Sequence, residues 1–109
     1  MKRYCFALDL INDEQSIAEY EMYHRNVWPE VLVSIKESGI RQLDIYRTGN
    51  RLFMMMETID NFSLEEKALA DQANAKVQAW ETLMWKYQQS LPLAKPGEKW
   101  VLMEKLFTL

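Results

Sequence analysis

Residues 40–59 read IRQLDIYRTGNRLFMMMETI, and this stretch decides the fold. Two runs rich in Ile, Leu, Tyr, Phe and Met flank Thr48-Gly49-Asn50. Short runs of this kind bounded by a turn signal read as strands, and Gly-Asn supplies the backbone freedom of a tight turn. Residues 40–48 and 51–59 are therefore two antiparallel strands joined as a hairpin. Immediately upstream, Pro29 to Ser38 fits a helix that Pro opens and Gly39 closes. Residues 13–27 carry a helical stripe of Ile17, Tyr20, His24 and Val27, which Pro29 interrupts, and Trp28 before it is pushed off helical dihedrals. Residues 2–11 alternate, with Tyr4, Phe6, Leu8 and Leu10 on one face and Arg3, Cys5, Ala7 and Asp9 on the other, so they form a first strand.

Downstream, Ser63-Leu64-Glu65-Glu66 is a capping box that starts a helix running toward Asp71. A second helical stretch covers roughly residues 74–90. Pro92 and Lys95-Pro96-Gly97 make a loop, and residues 99–107 alternate again as a last strand. The order is β-α-β-β-α-β. That is the ferredoxin-like split unit of the α+β class: a four-stranded antiparallel sheet with helices on one face. Residues 1–109 make one domain. The second face of the sheet also carries apolar residues and needs a cover. A second copy laid sheet on sheet would supply it, so a homodimer is expected.

Bulk properties narrow the function. The 109 residues are 49% hydrophobic, which argues against disorder. A net charge of −3 disfavours nucleic-acid binding. The single cysteine, Cys5, cannot close an internal disulfide and reads as a small buried residue in a reducing compartment. One His and one Cys give no metal-ligand spacing, and no metal or cofactor is expected. No 18-residue apolar run and no secretory leader are visible, so the expected location is cytoplasmic, without membrane insertion. The methionines 54–56 alternate along a strand, so one or two face the core. Asp44 and Glu57 are strand carboxylates that either bind hydroxyls or pair with Arg41, Arg47 or Arg51, and Arg3 is within reach of the same face.

The only histidine lies in EYEMYHRNVWPEV, residues 19–31. Tyr20 precedes His24 by four and Trp28 follows by four. On a helix such positions share a face, so a phenol, an imidazole and an indole would project into one space. Imidazole moves protons near neutral pH, and aromatic walls suit a small polar ligand with an apolar face, such as a sugar. The bland alternative is a structural histidine with Tyr20 as a core aromatic.

The segment from Glu19-Tyr20 through His24 to Trp28-Pro29-Glu30, with Ile45-Tyr46, Leu52-Phe53, Glu57 and Val77-Gln78-Ala79-Trp80, resembles the L-rhamnose mutarotase family over essentially the whole chain, 2–107. The resemblance implies a dimeric α+β barrel of ferredoxin-like protomers. It implies interconversion of the α and β pyranose anomers of a 6-deoxyhexose without a cofactor, L-rhamnose first and L-fucose second. Tyr20 and His24 fall on the family's catalytic pair, and Trp80 on its sugar-pocket tryptophans. One departure stands out: Trp80-Glu81 replaces a Trp-Trp pair, and Trp85 is not an obvious substitute. The tail from Lys95 to Trp100 is more like a subgroup associated with L-fucose utilisation.

The chemistry agrees with these residues. Mutarotation takes a proton from the anomeric hydroxyl and gives one to the ring oxygen. The ring opens, C1–C2 rotates, and the ring recloses. A positioned acid–base group contributes roughly 10²- to 10⁴-fold to such transfers. His24 is the expected general acid–base and Tyr20 its partner. Trp80, Trp28, Tyr46 and Glu57 are the candidate sugar contacts, whereas Trp85 and Trp100 read as core or dimer residues. Two rivals share the frame. A cofactor-free monooxygenase of the same barrel fold would need a wider aromatic cavity, and a non-catalytic sugar sensor would bind without accelerating exchange.

Overall fold

The computed structural model describes residues 1–109. The elements are β1 (Lys2–Leu10), α1 (Glu14–His24), α2 (Pro29–Glu37), β2 (Ile40–Thr48), β3 (Arg51–Thr58), α3 (Leu64–Gln72), α4 (Ala75–Trp85), β4 (Gln88–Gln89) and β5 (Val101–Leu102). The sheet is antiparallel, in the order β2-β3-β1-β4, with β5 also on β1. β1 pairs with β3 from Lys2 to Asp9, and β4 and β5 share its other edge, at Asp9–Leu10 and Phe6–Ala7 respectively.

Local chemistry accounts for the element ends. Asp13 caps α1 by accepting from the Ser16 N–H at 3.0 Å, and Ser63 caps α3 by accepting from the Glu66 N–H at 3.2 Å. Asn74 does the same for α4. Gly39 takes φ +98°, and a Cβ there would lie 2.7 Å from Ile59 Cδ1, so the α2–β2 turn and the end of β3 pass too close for a side chain.

Phe6, Leu8 and Leu10 of β1 and Leu52 and Met56 of β3 are buried beneath the helices. One core cluster joins Leu10 and Leu52 to Tyr20, Val31, Trp80 and Met84; a second joins Phe6, Ile40, Met56 and Phe62. Met54 and Met56 face this side and Met55 the other, as the alternation requires. The helix-free face carries Cys5, Ala7, Phe53 and Met55, all half-buried, together with the exposed Tyr46. Cys5 is thus half-buried rather than buried.

Three elements depart from the sequence reading. α1 ends at His24 instead of residue 27, with Arg25 as its C-cap, and the chain has left helical dihedrals at Trp28 before Pro29. The helix expected over 74–90 ends at Trp85, and Gln88–Gln89 turns back to pair with β1. The strand expected over 99–107 pairs only at Val101 and Leu102, followed by one further bond from the Met103 N–H to the Cys5 carbonyl. Alternation alone does not make a strand. Leu106, Phe107 and Leu109 project into solvent with no layer to bury against. No helix is long and apolar enough to cross a membrane.

Candidate active site

α1 delivers Tyr20 and His24 from successive turns, with ring centroids 4.3 Å apart. His24 Nδ1 lies 2.9 Å from the Tyr20 carbonyl oxygen. A carbonyl only accepts, so Nδ1 carries the proton and Nε2 keeps its lone pair. Burial holds the imidazole pKa below its ordinary 6.5, against the opposing effect of that backbone hydrogen bond. His24 is therefore a neutral base at pH 7, with one tautomer selected by its own helix.

Tyr20 is 3% exposed. Burial pushes its phenol up to about 12, while a hydrogen bond with the Gln88 side chain pulls the other way. The hydroxyl stays protonated and serves as a donor. Gln88 is itself buried, and it reaches Tyr20 only because α4 stops early and the chain reverses into β4. Sequence reading missed it, since a glutamine inside an assumed helix carries no signal of such a role.

Trp80 on α4 closes the cluster. Its ring centroid is 5.7 Å from that of His24, and Trp28 meets it edge-on at 5.2 Å. Trp28 does not arrive by sharing a helix face with His24. It sits at the N-cap of α2 with φ −57° and ψ 134°, and the turn before Pro29 brings it in. Tyr23 packs on Trp80 from the other side at 6.4 Å.

Tyr20, His24 and Trp80 line a cavity of about 280 Å³, shared with Met54, Gln88 and Trp100 and with the charged side chains of Lys67, Asp71, Glu81 and Lys99. Its size lies just below the roughly 300–1,000 Å³ of drug-sized sites, and its apolar walls with a few converging polar groups suit a monosaccharide. A wider depression of about 440 Å³ between α2 and β2 borders His24 and Trp80 but not Tyr20. Only the smaller cavity is lined by all three.

The remaining candidates lie elsewhere. Tyr46 is 60% exposed, stacks on Phe53, and borders a separate groove that also touches His24, beside the ion pair of Arg47 with Glu21. Glu57 pairs with Arg3 at 3.1 Å on the helix-free face and borders none of these cavities. Asp44 pairs with no arginine; Gln42 donates to it at 2.9 Å. Trp85 is partly exposed with Lys99 over its ring, whereas Trp100 packs against both core clusters and lines the cavity. No three His, Cys, Asp or Glu side chains converge as a metal site would need.

A family model described as L-rhamnose mutarotase matches residues 3–109. An L-fucose mutarotase from Xanthomonas campestris pv. campestris is 44% identical over 111 residues, covering 100% of this chain and 89% of the relative. A UPF0734 protein from Dictyostelium discoideum is 36% identical, covering 99% and 90%. The crystal structure of an L-rhamnose mutarotase from Formosa agariphila superposes with a TM-score of 0.74 at 20% identity, over 100% of this chain and 99% of the other. The tetracenomycin F2 cyclase of Streptomyces glaucescens, a type-II polyketide cyclase, superposes at 0.64 with 17% identity, over 100% and 97%. At such identities these two structures establish the α+β barrel type of fold and nothing about chemistry.

Proposed function

Because the chain belongs to the L-rhamnose mutarotase family, isomerases that interconvert sugar anomers, we propose that its substrate is L-fucose ahead of L-rhamnose and that His24 and Tyr20 carry the proton transfers. The 44% identity to an L-fucose mutarotase reverses the order that sequence alone suggested.

The observation that carries the mechanism is the Tyr20–His24–Trp80 cluster on one cavity, with His24 Nδ1 tied to the Tyr20 carbonyl. Neutral Nε2 takes the proton of the anomeric hydroxyl. The Tyr20 hydroxyl donates a hydrogen bond toward the ring oxygen as the C1–O5 bond breaks. The imidazolium so formed delivers its proton to O5, which becomes the C5 hydroxyl of the open-chain aldehyde. Rotation about C1–C2 and the reverse sequence deliver the other anomer. Trp80 and Trp28 offer apolar surface to the sugar's C–H face. Side chains alone suffice for these transfers, so the reaction runs without a cofactor.

We place the enzyme as a homodimer in the cytoplasm. The helix-free sheet face with Cys5, Ala7, Phe53 and Met55, and the apolar end Leu106–Leu109, support association with a second copy.

The test is anomer exchange by saturation-transfer NMR on L-fucose and L-rhamnose. Accelerated exchange, faster for L-fucose, is the expected result. Acceleration of neither sugar overturns the reading and turns attention to oxygen uptake with polyphenols, the monooxygenase signature.

A further inference from the structure

The cavity beside His24 holds a group that the proton transfers leave unused. Lys67 and Asp71, one turn apart on α3, form an ion pair with Nζ and Oδ1 2.5 Å apart and side chains only 16% and 18% exposed. Ser34 of α2 donates to the same carboxylate oxygen at 3.4 Å. Gln78 of α4 donates to the Asp71 backbone carbonyl at 2.9 Å and to Glu81 at 3.2 Å. Three helices thus hold this pair in place, and Lys67, Asp71 and Glu81 all border the cavity that Tyr20, His24 and Trp80 line.

An ion pair so withdrawn from water is a poor source of stability, because desolvation offsets most of the attraction and apolar residues of similar volume serve as well. Its placement suits recognition. Most residues around the cavity are apolar, and Lys67, Asp71 and Glu81 form a polar portion of the wall. A carboxylate accepts from hydroxyls and an ammonium donates to them, so a fixed acceptor beside a fixed donor distinguishes the orientations of neighbouring hydroxyls. L-fucose and L-rhamnose differ in the orientation of their hydroxyls at C2 and C4.

We infer that Lys67 and Asp71, held by Ser34 and Gln78 and flanked by Glu81, are the hydroxyl-reading pair that sets which 6-deoxyhexose the cavity accepts. The inference rests on the cavity being the sugar site, and it is separable from the assignment of proton transfer to His24.

The experiment titrates the full-length protein with L-fucose and with L-rhamnose, following sugar binding by NMR, for the wild type, Asp71→Asn and the exchanged double variant Lys67→Asp/Asp71→Lys. The exchanged variant keeps an acid and a base four residues apart, with the acid nearer the helix N-terminus, the better order for an α-helix. A structural pair therefore survives the exchange, whereas a recognition pair has its donor and acceptor transposed. The expected result is a thermal midpoint near wild type with binding of the preferred sugar weakened by about 10-fold or more, as loss of a charge-assisted hydrogen bond dictates, and a narrowed preference between the two sugars. Wild-type affinity and preference in the folded exchanged variant overturn the inference. If that variant does not fold, Asp71→Asn gives the same readout. A wild type that binds sugar without speeding exchange sinks the proton-transfer reading and leaves this one standing; a wild type that binds neither sugar overturns this one.

Discussion

Replacing His24 with Asn separates its chemistry from its packing. The Asn amide nitrogen falls near the position of Nδ1 and keeps a donor for the Tyr20 carbonyl, now 2.9 Å from the ring nitrogen. What disappears is the basic Nε2. A positioned acid–base group gives about 10²- to 10⁴-fold, or about 2.7–5.4 kcal/mol of barrier at about 1.36 kcal/mol per decade. The upper half of that range applies, because the same imidazole serves both the departure and the return of the proton. The folding cost is separate and smaller. The variant loses ring contacts with Tyr20 at 4.3 Å and Trp80 at 5.7 Å, each worth about 0.5–1.5 kcal/mol. At about 4–8 °C per kcal/mol for a domain near this size, the midpoint drops by roughly 4–24 °C. Saturation-transfer NMR with saturating sugar at 25 °C measures the rate, and circular dichroism checks the fold. A folded variant that loses less than 10-fold in exchange refutes the assignment, and the base must then be sought among the cavity carboxylates Asp71 and Glu81.

Other perturbations probe the neighbouring groups. On acidification, exchange falls as His24 is protonated, with a midpoint below 6.5 because burial lowers its pKa; a midpoint above 6.5 contradicts the buried-base geometry. The same shift links pH to stability: its contribution is whole above the unfolded value of 6.5 and is lost as pH falls toward the folded one, because the unfolded chain binds the proton first. Urea unfolding from pH 7.5 to 5 should therefore show a steeper loss in wild type than in His24→Asn. Tyr20→Phe removes the hydroxyl and its hydrogen bond with Gln88, so it should cost about 0.5–1.5 kcal/mol in urea unfolding and slow exchange. Unchanged stability would mean the Tyr20–Gln88 contact is not made. Gly39→Ala should cost at least about 1–3 kcal/mol from its dihedral alone, plus the contact with Ile59. Gly49→Ala has φ +56° and open space, so it carries only the dihedral cost of about 1–2 kcal/mol. Equal thermal shifts for the two would discount the close approach at Gly39.

What the sequence determined by itself is what local physics determines. Gly49-Asn50 specifies a hairpin through turn geometry, Ser63 and Glu66 specify a helix start through one hydrogen bond, and Gly39 marks the only conformation its turn allows. The four-residue spacing of Tyr20 and His24 already places phenol and imidazole together, because helix pitch needs no tertiary partner. Tertiary structure decided the rest, because those choices depend on what lies across the fold. Gln88 meets Tyr20 only when β1 offers an edge that draws the chain out of α4. Trp28 joins Trp80 by a turn between helices, not by helical periodicity. Tyr46 and Glu57 carry side chains fit for sugar binding, yet neither borders the cavity of Tyr20, His24 and Trp80. The alternation over 99–107 promised a strand and yielded two paired residues, since a strand exists only where a neighbour accepts its hydrogen bonds and a layer covers its apolar face.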